Sequence, residues 1–474
     1  MDAIVVERRA RNASEATTHA LPAETLSQIF YEVSRGRFLT YPSPYRVPDV
    51  DYKLPNKYPL LAVCSKWRQV AYSSPTFWQD AVVAFDSPKK LKRVADILKL
   101  HLSNSGRLPL RIRFENCIFN ASEFHSKGLV HPSVNGELAR NLYRIEMLEL
   151  NHYPPSMFKK WLDSLSHLSS IDKLQVGTDI GDDLDLRNNR SLASLSVQCF
   201  KSRILVRPDN IQDVFLYSIP MDRCVRLLFE CRNLKTFCMR NPREAIDDIS
   251  FLQQALVLPC LTELRWSVAV GDECESCLFR YLAVPALEHF ALETEDAHNF
   301  RLSDDEDTDE LQDFCERLPL SLRRLTINEY LTTDDKNVIK FFPKNLPVEH
   351  IELYCETEEW SEARDCASWL SGYYRADDGG LAKAFPKLTH LRITGAEWYP
   401  STQLEEVLPF FDALQERIEP GEVFKLGVCM TTFMFERDML PPDILIMVDT
   451  GALEIVDDSG RRFHEPFETP LSII

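Results

Sequence analysis

The sequence predicts an α/β protein: a small block of short helices, then a long array in which strand and helix alternate. Three observations predict it. The pattern apolar-x-x-apolar-x-apolar recurs ten times between Ile145 and Ile393. Between those repeats the apolar period switches from two to about 3.6 residues. The stretch Leu21–Trp78, by contrast, carries apolar stripes at helical spacing only.

In that first block, Leu26, Ile29, Phe30 and Val33 fall on one helix face. Pro22 suits a first helical turn, and Glu24 sits at the positive end of the helix dipole. Leu60, Val63, Cys64, Trp67 and Ala71 predict a second helix. Ser74 followed by Pro75 predicts an N-cap and a first-turn proline, so Phe77 and Trp78 open a third. Three short helices cannot bury all this apolar surface alone, which predicts a partner or docking on the rest of the chain.

The order L-P-A-E-T-L-S-Q-I-F, P-L-L-A-V-C-S-K-W-R-Q-V-A, P-T-F-W resembles the F-box, most closely its fungal, basidiomycete-like form. The resemblance implies an F-box-like domain over residues 20–79 that docks on a Skp-type adaptor of a Skp–cullin–F-box ubiquitin ligase. By motif position, it places Leu21, Pro22, Ile29, Leu60, Val63, Trp67 and Trp78 at or beneath the adaptor surface. The chain departs from the family at Arg35–Tyr58, an insert with Pro42, Pro44, Pro48 and Pro55 that reads as an extended loop and puts docking in question if it covers that surface. Residues 1–19 are polar and aperiodic, and read as a disordered tail.

Ala81–Phe85 alternates as a strand, and Leu91, Val94, Ala95, Leu98 and Leu102 predict a helix ended by Asn104-Ser105-Gly106. Leu110, Ile112 and Phe114 predict the next strand. The ten repeats begin at Ile145, Ile171, Leu192, Ile211, Leu234, Leu261, Leu287, Leu322, Val348 and Leu388. Helical stripes lie between them at Phe158–Leu165, Leu278–Leu282 and Leu311–Leu318, and another follows at Leu404–Phe411. Pro259, Pro285, Pro319, Pro347 and Pro386 stand just ahead of strands, where proline stops a helix. Repeats of this length resemble a degenerate leucine-rich-repeat solenoid, which implies parallel strands on a concave side and helices on the convex side over residues 80–440. No consistent asparagine follows the strands.

Ser303–Glu310 is an acidic run that reads as a solvated loop, with Ser303 and Thr308 as candidate phosphorylation sites; Tyr373–Leu381 reads as a turn-rich loop. Phe424–Val428 reads as a last strand. Ile444–Val448 and Leu453–Val456 flank Asp449-Thr450-Gly451 and predict a hairpin cap within 441–474.

Net charge of −18 argues against a general nucleic-acid or anionic-membrane binder. No stretch reaches the roughly 20 apolar residues of a membrane span, and no apolar signal core opens the chain, so a cytoplasmic or nuclear location is expected. Thirteen scattered cysteines read as reduced thiols. Two triplets, Asp449-Thr450-Gly451 and Asp458-Ser459-Gly460, spell an aspartic-protease signature but sit too close together to come from two lobes; turn chemistry explains them. Cys274-x-x-Cys277 lacks a second pair at zinc-finger spacing. Lys89-Lys90-Leu91-Lys92-Arg93, which has the composition of a nuclear-import patch, reads as a solvated helix start. Catalytic residues, metal and cofactor are therefore not expected.

The remaining candidate is a surface. Positions between and after the apolar strand residues point to the concave side: Phe215, Tyr217, Arg240, Arg265, His289, Arg324, His350, Tyr354, His390 and Arg392. Glu149, Asp213, Glu263, Glu293 and Glu352 share that face. Arginine and tyrosine are common interface anchors, and a face that leans basic suits an acidic or phosphorylated segment. The expectation is a non-catalytic substrate receptor of a cullin-type ligase, with the adaptor and ligase core on the helical block and an unnamed protein target on the repeats. The alternative is a repeat scaffold not engaged in ubiquitination.

Overall fold

In a computed structural model of the protein, the described residues are 21–34, 58–85, 91–116, 132–151, 172–177, 183–247, 255–267, 278–293, 306–328, 341–354, 373–375, 381–394, 404–418, 421–428 and 442–456. The polar N-terminal tail, positions 35–57 of the insert, the stripe from Phe158 to Leu165, Cys274 and Cys277, Ser303, and the triplet at Asp458 lie outside them. The protein is a mixed α/β chain of two compact units, Met1–Asn210 and Ile211–Ile474.

The first unit begins with α1 (Ala23–Ser34), α2 (Tyr58–Val63), α3 (Ser65–Ser73) and a 3-10 turn, Pro75–Trp78. The expected second helix is two helices. Cys64 is extended (φ −157°, ψ 173°), and its Sγ accepts the Trp67 N–H, so Cys64 ends one helix and caps the next. Ser74 stands at the N-cap position of the 3-10 turn but does not cap through its side chain. Its hydroxyl donates instead to the Val70 carbonyl at 2.7 Å, and it lies 2.7 Å from the Ser27 hydroxyl, tying α3 to α1. Leu26, Phe30, Val70, Ala71, Phe77 and Trp78 form the block's core.

Strand β1 (Asp80–Phe85), α4 (Leu91–Asn104), β2 (Leu110–Asn116), α5 (Pro132–Asn141), β3 (Ile145–Asn151) and β4 (Lys173–Gly177) follow. Short β5 (Leu184–Asp185) pairs with β7 (Ile204–Leu205), on either side of β6 (Ser194–Gln198). Strands β1-β2-β3-β4-β6 pair in parallel.

The second unit repeats the plan: β8 (Asp213–Tyr217), α6 (Met221–Glu230), β9 (Thr236–Arg240), β10 (Leu256–Val257), β11 (Glu263–Ser267), β12 (Leu282–Ala283) and β13 (His289–Glu293). Then come α7 (Glu306–Glu316), β14 (Arg324–Asn328), β15 (His350–Tyr354), β16 (Tyr373–Arg375), β17 (Leu381–Lys383) and β18 (His390–Thr394). Last are α8 (Leu404–Arg417), β19 (Phe424–Val428), α9 (Pro442–Asp449) and β20 (Leu453–Val456). Strands β8-β9-β11-β13-β14-β15-β18-β19-β20 pair in parallel, in register. All ten sequence repeats are strands, nine of them starting at the third residue of the pattern. The first apolar residue of the pattern closes a turn just before the strand. Its N–H reaches back three residues in Leu258–Leu261, Val284–Leu287, Pro319–Leu322 and Phe385–Leu388. Proline fits such a turn because its φ is preset.

Three further expectations change. The acidic run is not wholly loop: Glu306–Glu310 opens α7. The stretch read as a loop from Tyr373 holds β16 and β17, an antiparallel pair. The expected C-terminal hairpin is a helix and a strand, α9 and β20, with β20 parallel to β19. Ile444 and Val448 are buried four residues apart, a helical spacing. Gly451 (φ +75°) takes the left-handed turn after α9, and the Ala452 N–H closes on the Met447 carbonyl at 2.9 Å.

Among the described residues no asparagine ladder runs through the repeats; arginines tie neighbours instead. Arg144 donates to the Leu102 and Gly106 carbonyls at 2.6 and 2.7 Å, taking up acceptors at the end of α4. Arg317 reaches the Phe279 carbonyl at 2.7 Å. Arg417 reaches the Ala384 carbonyl at 2.9 Å and that of Phe385. Burial pushes the Arg417 guanidinium down to about 10, so it stays charged at neutral pH. We predict that Arg417→Ala costs about 2–4 kcal/mol in urea unfolding, because two buried carbonyls lose a charged donor. Arg417→Lys recovers only part, lacking the planar fork. A loss no larger than that of exposed Arg107→Ala would overturn the clamp.

Candidate functional site

The period-two alternation of the strands sends one set of side chains into the core and the other to an open face. In the second unit the core set includes Val214, Leu216, Phe237, Leu264, Trp266 and Phe290, all buried. Trp266 packs on Phe279, and Phe290 on Phe314 of α7. All ten residues expected on the concave side occupy the alternate, open-face positions of these strands. Tyr354 is placed by its backbone alone; its side chain lies outside the described residues.

In-register pairing lays the open face out in rows that cross the strands. One row runs Asp213, Thr236, Glu263, His289, Arg324, His350, His390, Lys425, Glu454. The next runs Phe215, Cys238, Arg265, Ala291, Thr326, Glu352, Arg392, Gly427, Val456. Neighbouring strands lie about 4.8 Å apart, so ionised side chains on adjacent strands meet within a row or across to the next.

They meet as pairs. Arg240 is not an exposed anchor: it is 8% exposed and holds buried Glu293 at 3.1 Å. Glu293 Oε1 has no hydrogen-bond partner among the described residues, and burial raises its pKa against the pull of Arg240. Arg265 donates to Glu263 at 2.6 Å. His289 lies between Glu263, 3.5 Å from Nδ1, and the Thr326 hydroxyl, 3.0 Å from Nε2. The neutral ring that donates from Nδ1 and accepts at Nε2 satisfies both. Burial keeps His289 below its ordinary pKa, and the bond from His289, with Arg265 beside it, holds Glu263 at about 2. The two depressions agree: a neutral imidazole donates to an ionised carboxylate.

Further along, buried Glu352 lies 2.5 Å from Arg324 and 3.7 Å from Arg392. The Arg392 stem lies over Gly427, where a Cβ would come within 3.0 Å of Cγ. His350 and His390 stack with centroids 4.1 Å apart. Tyr217 is exposed and Phe215 half-buried at the start of the face. Sequence reasoning missed Thr326, Lys425 and Glu454 here. Lys425 was legible as the second residue of the Phe424–Val428 strand, but Glu454 was hidden by the hairpin reading.

The helical block carries the second candidate surface. Ile29 is 41% exposed and Val63 56%; Pro22 is exposed as well. Leu21, Leu60 and Trp67 are half-buried against the core. Trp67 packs on Phe30 at 5.1 Å, and its Nε1 has no hydrogen-bond partner among the described residues. Trp78 lies wholly beneath the surface: its Nε1–H donates to the Ala71 carbonyl at 2.8 Å, and its own carbonyl lies 3.0 Å from His101 Nδ1.

Among the described residues, no cluster of three or more His, Cys, Asp or Glu is arranged to hold a metal ion, and no helix is long and apolar enough to cross a membrane. Burial pushes the Cys238 thiol on the open face up to about 11, away from thiolate chemistry. No family model matches the chain, and no curated protein matches it.

We predict two steps of acid destabilisation from this face. His289, depressed when folded, takes a proton on unfolding, so its contribution is lost as pH falls below about 6.5. Glu263, also depressed, contributes above its ordinary carboxylate range and is lost as pH falls from about 4.5 toward 2. Discounted for its partial exposure, the second step is on the order of 1–2 kcal/mol. Urea unfolding across this range should show that step flattened in Glu263→Gln; an unchanged acid profile in the variant would refute the assignment.

Proposed function

We propose that the chain is a non-catalytic substrate receptor of a cullin-type ubiquitin ligase. In this reading the helical block docks on a Skp-type adaptor, and the open strand face of residues 211–474 holds a protein target in the manner of a leucine-rich-repeat solenoid. The observation that carries it is that a helical block with its own closed core still sends Ile29 and Val63 into solvent. Both stand where the F-box resemblance places adaptor contacts. Exposed apolar side chains beside a finished core mark a docking surface better than they mark packing. The seven in-register repeats of that unit and their mixed ionic face support the target-binding half.

The mechanism is proximity. The receptor holds both partners, raising the effective concentration of target lysines near the ubiquitin-loaded enzyme, and contributes no bond-making group.

A pull-down of full-length protein with a purified Skp-type adaptor tests this. Ile29→Asp/Val63→Asp should weaken capture at least about tenfold, the effect of losing two apolar contacts of roughly 1 kcal/mol each or more, while circular dichroism stays unchanged. Trp78→Ala is not a surface test, since removing that buried ring costs about 3–5 kcal/mol of stability. Absence of capture by folded wild-type protein would reject the ligase reading and leave the scaffold alternative.

A further inference from the structure

On the open face of residues 211–474, cations converge where one buried carboxylate serves two guanidiniums. Glu352 is 6% exposed; Arg324 from β14 and Arg392 from β18 approach its two oxygens from opposite sides. Their side chains remain 46% and 43% exposed. In the adjoining row the stacked His350–His390 pair lies between Arg324 and Lys425. Among the described residues, the other charged groups around the rings are Glu349, paired with Arg323 at 3.3 Å, and Glu454, 3.8 Å from Lys425. Four fixed cations thus meet three carboxylates, on a chain whose net charge is −18. With both rings neutral, these described groups carry an excess positive charge.

The ring pair can add to that excess. Burial first, then Arg324 and Lys425, oppose a proton on the rings, and two protonated rings at 4.1 Å would repel as well. An anion laid over the row offsets the part of this opposition that comes from the neighbouring cations. A phosphate monoester fits: it has three acceptor oxygens, a charge near −2, and a geometry that guanidiniums match through paired donors.

We propose that Arg324, Arg392 and the His350–His390 pair bind the phosphate monoester of a phosphorylated protein segment, with proton uptake by the rings. A protein segment suits the place because the row crosses successive strands at about 4.8 Å, a run that an extended chain at about 3.3 Å per residue can follow. As target capture the proposal rests on the receptor reading; phosphate binding by itself does not.

The test uses full-length protein with 13C-labelled histidine rings, followed by NMR across the neutral pH range. His350→Gln and His390→Gln assign the two resonances. The probes are a short Gly/Ser peptide with one phosphoserine, its unphosphorylated twin, and inorganic phosphate. The phosphopeptide should raise the midpoints of His350 and His390 by about half to one pH unit, as an opposite charge within reach does. The twin should leave them unmoved, and Arg324→Gln should abolish the shift. The phosphopeptide should also saturate at least about tenfold below inorganic phosphate. No shift in wild type, an equal shift with the twin, or persistence in Arg324→Gln would overturn the site; equal saturation by inorganic phosphate would overturn the peptide assignment. Should Arg324→Gln fail to fold, the His350→Gln/His390→Gln double variant keeps both Glu352 pairs. It should lose about tenfold in fluorescence-anisotropy affinity for the phosphopeptide, and unchanged affinity would equally refute the proposal. Phosphopeptide binding without adaptor capture would retain the site and reject the receptor reading instead.

Discussion

In-register parallel pairing is the constraint on which the open face depends. Once strands align residue for residue, each position faces its counterpart in the next repeat about 4.8 Å away. Like charges side by side would repel, so charge has to be balanced across strands. That is how Glu263 comes to sit among Arg265 and His289, and Glu352 between Arg324 and Arg392. The same rule operates in the first unit, where Arg111 of β2 grips Asp80 of β1 through two bonds and Arg113 meets Glu149 of β3. Gly427 follows from it as well, since the residue beside Arg392 must leave room for its stem.

Burial sharpens this balance. A carboxylate withdrawn from water is costly unless a cation or donor replaces the lost hydration. Glu352 has two guanidiniums beside it; Glu293 has Arg240 on one oxygen, and burial raises its pKa against that pull. The polar interior of the repeats obeys the same requirement. Carbonyls at the ends of helices and turns need donors, and Arg144, Arg317 and Arg417 supply them from a later repeat. A long side chain with a forked head can reach across a repeat boundary, which explains how the array dispenses with a regular asparagine.

The helical block follows a different logic. Its core is closed by aromatic rings, with Phe77 and Trp78 5.1 Å apart edge to face and Phe30 set against both Trp67 and Phe77. The polar links Ser74–Ser27 and Trp78–Ala71 fix the helices around that core. Ile29 and Val63 are thereby left outside a structure that is already complete.

The sequence by itself determined what depends on neighbours along the chain. Period-two alternation assigned the ten strands and put Phe215, Arg265, His350 and Arg392 on one face, because successive side chains on a strand must point to opposite sides. Helical spacing located α4, α7 and α8 for the same kind of local reason. Tertiary structure decided what depends on residues far apart in the chain. Arg324 and Glu352 are 28 residues apart, and Arg417 lies 33 from Ala384, so no local period could announce either contact. The break at Cys64, where a stripe read as continuous becomes two helices, depends on its extended backbone. The choice of helix and parallel strand over hairpin at Pro442–Val456 was decided by β19, which offered β20 a parallel edge. Which arginines are anchors and which are clamps is likewise a matter of burial: Arg240 and Arg324 occupy open-face positions in the same pattern, yet one is enclosed with Glu293 and the other stands half in water.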